Sequence, residues 1–198
     1  ANDLHNVILI EQDILRLDIK KLAEAEGRKI LVTGNLPYNI SSQVLVRLIR
    51  SRDAVCRAVL MFQKELAQRI IAPPGSRDYG RLSVMLGYCA EIKRLAEIKA
   101  LLFFPKPKVD SEVLEIKFRT VLENPATDEA FFFRVIRAAF GKRRKTLKNA
   151  LSGSELEIDS ETVREAFITV GIDPSRRAET LTVSEFVALS NRLNEHRQ

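Results

Sequence analysis

The 198-residue chain has only two cysteines and no apolar run of membrane-spanning length, and each shortage removes a class of protein. Cys56 and Cys89 lie far apart, match no metal-ligand or redox spacing and stand among apolar neighbours. Both therefore read as buried, reduced thiols, with neither a disulfide framework nor a metal site implied. A helix needs about 20 apolar residues to cross a bilayer, and no charged-then-apolar leader opens the chain. A soluble, cytoplasmic protein without a membrane partner is expected. No internal repeat or low-complexity tract occurs, and the chain is long enough to bury a core without staples.

What is present in excess is positive charge, unevenly placed. The net charge is +6, with 20 Lys/Arg against 14 Asp/Glu in residues 1–120 and 12 of each in residues 121–198. Within that balanced second part no acid falls between Glu129 and Glu155, yet Arg134, Arg137, Lys142, Arg143, Arg144, Lys145 and Lys148 all do. A local basic ridge suggests a polyanion partner; a solvated helix face explains the charge alone equally well.

Apolar periodicity divides the chain near residue 121. NVILIEQD (6–13) and KILVTG (29–34) read as central parallel strands covered by helices on both faces, with a helix to about Glu26 between them. Val44, Leu45, Leu48 and Ile49 mark a helix that Ser41 or Ser42 can cap. AVLMFQ (58–63) followed by KELAQRII is a second strand and helix, and RLSVMLGYCAEIKRLAEI reads as helix then strand. LLFFPKPKVDS is a proline-fixed loop, and EVLEIKFRTV alternates as a half-exposed strand would. Beyond Glu123-Asn124-Pro125 four helical segments follow. The expected architecture is an open α/β sheet domain (1–121) and a small all-α domain (122–198).

In open α/β sheets ligands bind at the carboxyl ends of the strands, where Asp13, Asn35-Leu36-Pro37-Tyr38 and Gln63 would fall. Pro37 locks its own φ and restricts Leu36. Asn35 and the Leu36-Pro37 backbone could then accept both protons of a planar exocyclic amine, with Tyr38 stacking on its ring, as suits a flipped-out base. A plain turn, with Pro37 starting the next helix and Tyr38 filling the core, is the other reading of the same residues.

Asn35-Leu36-Pro37-Tyr38 matches the amino-methyltransferase signature [NDS]-[LIP]-P-[YFW]. With GNLPYNISS, FQKELAQRI, YGRLSV, FPKPKVDSEV, FGKRRKTLKNAL and RAETLTVSEF in order along the chain, the sequence resembles the KsgA family of small-subunit ribosomal RNA adenine N6,N6-dimethyltransferases. The resemblance implies a Rossmann-like class I methyltransferase sheet and S-adenosylmethionine as methyl donor. It implies that Asn35 and the Leu36-Pro37 backbone hold the adenine N6, that Tyr38 stacks on one face of the base and that Phe103 approaches the other. Phe103 and Phe104 could equally be core residues on their own pattern. Asp13 would contact the donor's adenine amine, with Asn35 bordering the donor; Asp13 would suit a helix cap equally well. No general base is essential, because aligning the amine for in-line displacement is the main work. Arg81, Lys106, Lys108, Arg143, Arg144, Lys145 and Lys148 are candidate phosphate contacts, which would position RNA without reading its sequence. The partner implied is small-subunit ribosomal RNA in the immature small subunit.

The family begins with a strand and a Gly-rich loop, whereas none of the eight glycines here forms a G-x-G pair. The expectation is a sheet lacking the family's first two strands, an amino-terminally truncated and inactive fragment whose exposed sheet edge favours self-association. Three other functions compete: a non-catalytic rRNA-binding assembly factor, a large-subunit rRNA adenine methyltransferase and a DNA adenine methyltransferase.

Overall fold

Four strands carry the site. β1 (Ile30–Asn35) runs parallel to β2 (Val55–Gln63), while β4 (Ser111–Phe118) lies antiparallel to both β2 and β3 (Ala90–Ile98), giving the order β1-β2-β4-β3. The computed structural model describes residues 6–142 and 144–196. α1 (Ile19–Ala25) precedes the sheet, and α2 (Ser41–Arg50) crosses over from β1 to β2. α3 (Lys64–Ile71) and α4 (Arg81–Cys89) follow β2 and pack on the sheet. The helical continuation is α5 (Glu129–Gly141), α6 (Leu147–Leu151), α7 (Ser160–Thr169) and α8 (Val183–Glu195).

Side chains alternate across a strand, and burial follows. Ala58, Leu60 and Phe62 of β2 and Glu112, Leu114 and Ile116 of β4 are wholly buried on one face. Val59, Met61, Val113 and Glu115, which point the other way, are only half-buried. The half-exposed reading of β4 therefore holds. The expectation of helices over both faces of the first strands does not, because α3 and α4 bury one face and the described residues leave the other partly open.

Residues 6–13 form no strand. Among the described residues they have no neighbouring strand to complete a hydrogen-bond ladder, and Val7 to Ile10 are exposed. The first helix is also shorter than periodicity suggests: residues 14–16 form a turn, and α1 starts only where Asp18 accepts hydrogen bonds from the amides of Lys20 and Lys21. Cys56 is a third departure. It sits on the exposed side of β2 and donates to the Ile30 carbonyl (3.2 Å), whereas Cys89 is buried and its thiol is pushed up to about 12 by desolvation.

The helices join the sheet in one continuous hydrophobic core. Tyr88 of α4 packs 4.6 Å from the ring of Phe132 in α5, and its hydroxyl accepts from the Ala126 amide at 3.1 Å. Arg52, between α2 and β2, forms a two-pronged ion pair with Glu129 (2.9 and 2.7 Å) at the start of α5. No helix among the described residues is long and apolar enough to cross a membrane.

Candidate active site

The strand directions bring two loops to one edge. β1 and β2 end there at Asn35 and Gln63, and antiparallel pairing sets Ser111, the first residue of β4, opposite both Gln63 and Ile98, the last residue of β3. The β1–α2 loop (36–40) and the β3–β4 loop (99–110) therefore leave from the same sheet edge.

The β1–α2 loop is closed by its own polar groups. Ser41 does not cap α2 as expected: no side chain caps that helix, and the buried Ser41 hydroxyl donates backward to the Pro37 carbonyl at 2.9 Å. The Ile40 amide donates to the same carbonyl at 3.2 Å. With Pro37 restricting φ on top of these bonds, the loop is held by covalent and hydrogen-bonded constraints together. Since Pro37 is the occupied acceptor, the Asn35 side chain, exposed and without a hydrogen bond among the described residues, and the Leu36 carbonyl are the acceptors left over. Tyr38 is 39% exposed, and its hydroxyl meets the buried Ser111 Oγ at 3.4 Å. Neither starting a helix nor filling the core describes this loop.

The opposing loop is anchored by charge. Asp110 accepts from the Ala100 amide (2.9 Å) and from Lys99 (3.2 Å), and its carbonyl accepts from the Lys64 amide (3.0 Å). Glu97 takes both Lys99 (2.6 Å) and Lys64 (2.9 Å). The Ala100 amide and then Lys99 hold the Asp110 carboxyl below its usual range, and Lys99 and Lys64 do the same for Glu97. This network clamps both ends of the loop, and neither Phe103 nor Phe104 enters the core.

Asn35, Leu36, Pro37, Tyr38 and Phe103 line one cleft of about 350 Å³, together with Phe104, Pro105 and Pro107. Phe104 and Ser111 add to the site beyond the residues singled out from the sequence. The first stood next to Phe103 in the same loop, and the second began a strand whose partner register was not visible. Chemically, the cleft offers carbonyl acceptors on one wall and aromatic faces on both, which fits a planar heterocycle bearing an amine.

The other candidates lie elsewhere. Asp13 does not line the cleft; its Oδ1 accepts from the Leu15 amide at 2.9 Å, closing a turn. Lys106 and Lys108 are exposed between and beyond the cleft prolines. Arg81 is exposed at the start of α4, Arg144 and Lys145 are exposed, and Lys148 is half-buried in α6. Arg143 lies outside the described residues. Among the described residues no group of three or more His, Cys, Asp or Glu is placed to hold a metal ion.

A family model described as Ribosomal RNA adenine dimethylase matches residues 2–195. The chain belongs to that family. Within the ribosomal RNA adenine dimethylases it is 54% identical over 190 residues to the Ribosomal RNA small subunit methyltransferase A of Desulforapulum autotrophicum, covering 96% of this chain and 66% of that protein. It is 38% identical over 197 residues to the protein of the same name from Bacillus cytotoxicus, covering 97% of this chain and 68% of that one. The chain thus spans about two thirds of their length. Among solved structures, a dimethyladenosine transferase from Plasmodium falciparum superposes with TM-score 0.63 at 25% identity, covering 80% of this chain and 64% of that one. The 23S rRNA methyltransferase ErmE superposes with TM-score 0.58 at 20% identity, covering 84% of this chain and 66% of that one, a likeness of fold alone. The family and the Rossmann-like α/β fold expected from the sequence blocks are both borne out.

Proposed function

We propose that residues 1–198 form the base-accepting and RNA-binding part of a small-subunit (16S) ribosomal RNA adenine N6,N6-dimethyltransferase, acting on immature small subunits during ribosome biogenesis. The observation that carries this reading is the meeting of Asn35, Tyr38 and Phe103 around one cleft. In it, the Asn35 side-chain oxygen and the Leu36 carbonyl accept the two N6 protons, which turns the amine lone pair out of the ring plane toward a methyl group. Tyr38 and Phe103 sandwich the base, a contribution of about 1–3 kcal/mol per stacked base. Positioning supplies most of the rate in such a transfer. Residues 1–121 hold the base, and the helices of residues 122–198 carry Arg144, Lys145 and Lys148 toward RNA phosphates.

S-adenosylmethionine, the donor the family implies, supplies an electrophilic methyl group. Of the two residues expected to touch it, Asn35 lines the cleft and Asp13 does not. The four glycines with positive φ, at 27, 75, 153 and 171, do not follow the carboxyl ends of β1 or β2. The described residues fit the acceptor base and do not complete a donor pocket. The 198-residue chain is therefore expected to bind RNA without methylating it.

The experiment pairs RNA binding with methyl incorporation from labelled S-adenosylmethionine into immature small and large subunits. Salt-sensitive binding to small-subunit RNA, weakened by Tyr38→Ala and Phe103→Ala, is the expected result. Binding indifferent to both substitutions favours the non-catalytic assembly factor. Methyl transfer by this chain alone contradicts the incomplete donor pocket, and label in large-subunit RNA moves the substrate. The partly uncovered Leu31 on the outer strand, with exposed Val7 to Ile10, supports self-association, read as a concentration-dependent sedimentation coefficient.

A further inference from the structure

Two grooves flank Arg81, and their charge differs. The first, about 500 Å³, is balanced: Arg69, Arg77 and Arg81 face Glu65, Asp78 and Glu179. The second, about 570 Å³, lies between α1 and α2 on one side and α4 and α5 on the other, with six cations against Asp53 and Glu129. Its carboxylates do little to neutralise it. Glu129 is already engaged by Arg52, and Arg137 is held outside the balance by a two-pronged pair with Glu155. Lys20, Arg50, Arg81 and Arg134 are left without an ion pair among the described residues; Arg134 rests 5.3 Å over the Phe131 ring. Lys20, Arg50 and Arg81 are exposed, and the groove floor between them is apolar, with Met85 and Phe133.

We propose that this groove is a second RNA-backbone site, separate from the basic run after α5, in which Lys20, Arg50, Arg81 and Arg134 neutralise consecutive phosphates. Four unpaired cations converging on one concavity repel each other, and an anion relieves that repulsion. A polyanion does so at several positions at once and releases its own counterions. The floor offers apolar contact to the sugars between the phosphates. The balanced neighbouring groove lacks this drive, so the site ends at Arg81. The proposal rests on the RNA reading given above.

The test is a salt series of RNA binding by the 198-residue chain, using a small-subunit RNA fragment. The variants are Lys20→Gln/Arg50→Gln/Arg134→Gln in the groove, Lys20→Arg/Arg50→Lys as the charge-preserving control, and Arg144→Gln/Lys145→Gln in the basic run. The groove variant is expected to bind roughly tenfold or more weakly. Its log K against log salt slope should be shallower by about 2–3, at about 0.7–0.9 for each of the three phosphates no longer neutralised. The charge-preserving variant should bind like the parent, and thermal melting confirms that each variant folds. An unchanged slope in the groove variant, with weakening only in the Arg144/Lys145 variant, overturns the groove while leaving RNA binding intact. No RNA binding by the parent chain overturns both.

Discussion

The two faces of the sheet are written in similar residues and end differently. On the closed face Leu60, Phe62, Leu114 and Ile116 are wholly buried beneath helices. On the open face Val59, Met61 and Val113 are half-buried, and Leu31 is 47% exposed. Apolar side chains on both faces state that a strand is made to be covered twice; they do not state which residues do the covering. Asn35 shares the open face with Leu31, but the loops that form the cleft are fixed without it. Those loops are closed by Ser41 on Pro37, Tyr38 on Ser111 and the Lys64, Glu97, Lys99 and Asp110 network, all within the described chain.

The largest contrast should come from truncating one leucine on each face. Leu114→Ala is expected to destabilise the chain by about 2–5 kcal/mol, as full burial and a residual cavity dictate. Leu31→Ala should cost under about 1 kcal/mol. Urea unfolding measures both, and equal losses would mean that the open face is covered after all.

Glu112 sharpens the same contrast, because it is a carboxylate on the closed face. It is wholly buried, with Oε2 unpaired among the described residues and Oε1 a long 3.5 Å from Arg94. A buried carboxyl group so poorly matched adds little, so Glu112→Leu should be neutral or stabilising by about 1 kcal/mol. The midpoint of urea unfolding decides it.

The two thiols extend the comparison to reactivity. Native protein should label at Cys56 alone, since desolvation keeps Cys89 protonated and access is closed. Labelling of both before unfolding would contradict the packing described.

A smaller effect concerns acidity. Asp110 and Glu97 are held below their usual values in the folded chain. Their contribution is complete above the ordinary carboxylate range, about 3.9–4.3, and is lost as pH falls through the folded values. Protection of the amides of residues 99–110, measured relative to their intrinsic exchange rate at each pH, should therefore fall at acid pH before the core opens. Asp110→Asn should produce the same loosening at neutral pH.

Much of this was legible in the sequence. Strand and helix periodicity placed β1, β2, β4 and the four later helices, and Asn35-Leu36-Pro37-Tyr38 announced a fixed loop. Other features depended on partners that periodicity does not name. NVILIEQD has the pattern of a strand but, among the described residues, no neighbour to pair with. Cys56 sits in an apolar run yet faces outward, because a period of two settles the face only once the register is known. Phe103 and Phe104 could not be ranked against the core, and the antiparallel return of β4, which delivers their loop to Tyr38, was not written in either segment. The acids bounding the basic ridge were visible, but their capture of Arg52 and Arg137 needed the fold.

In the function proposed above, one cleft holds an unpaired adenine between Tyr38 and Phe103. The most direct test of this reading is the affinity of the 198-residue chain and of Tyr38→Ala/Phe103→Ala for a small-subunit RNA bearing unpaired target adenines, measured at one salt concentration. Loss of stacking on two faces predicts a fall of roughly tenfold or more, and guanine in place of the target adenines should weaken the parent and leave the double variant unmoved. Equal affinity of parent and double variant for the adenine RNA would contradict the account.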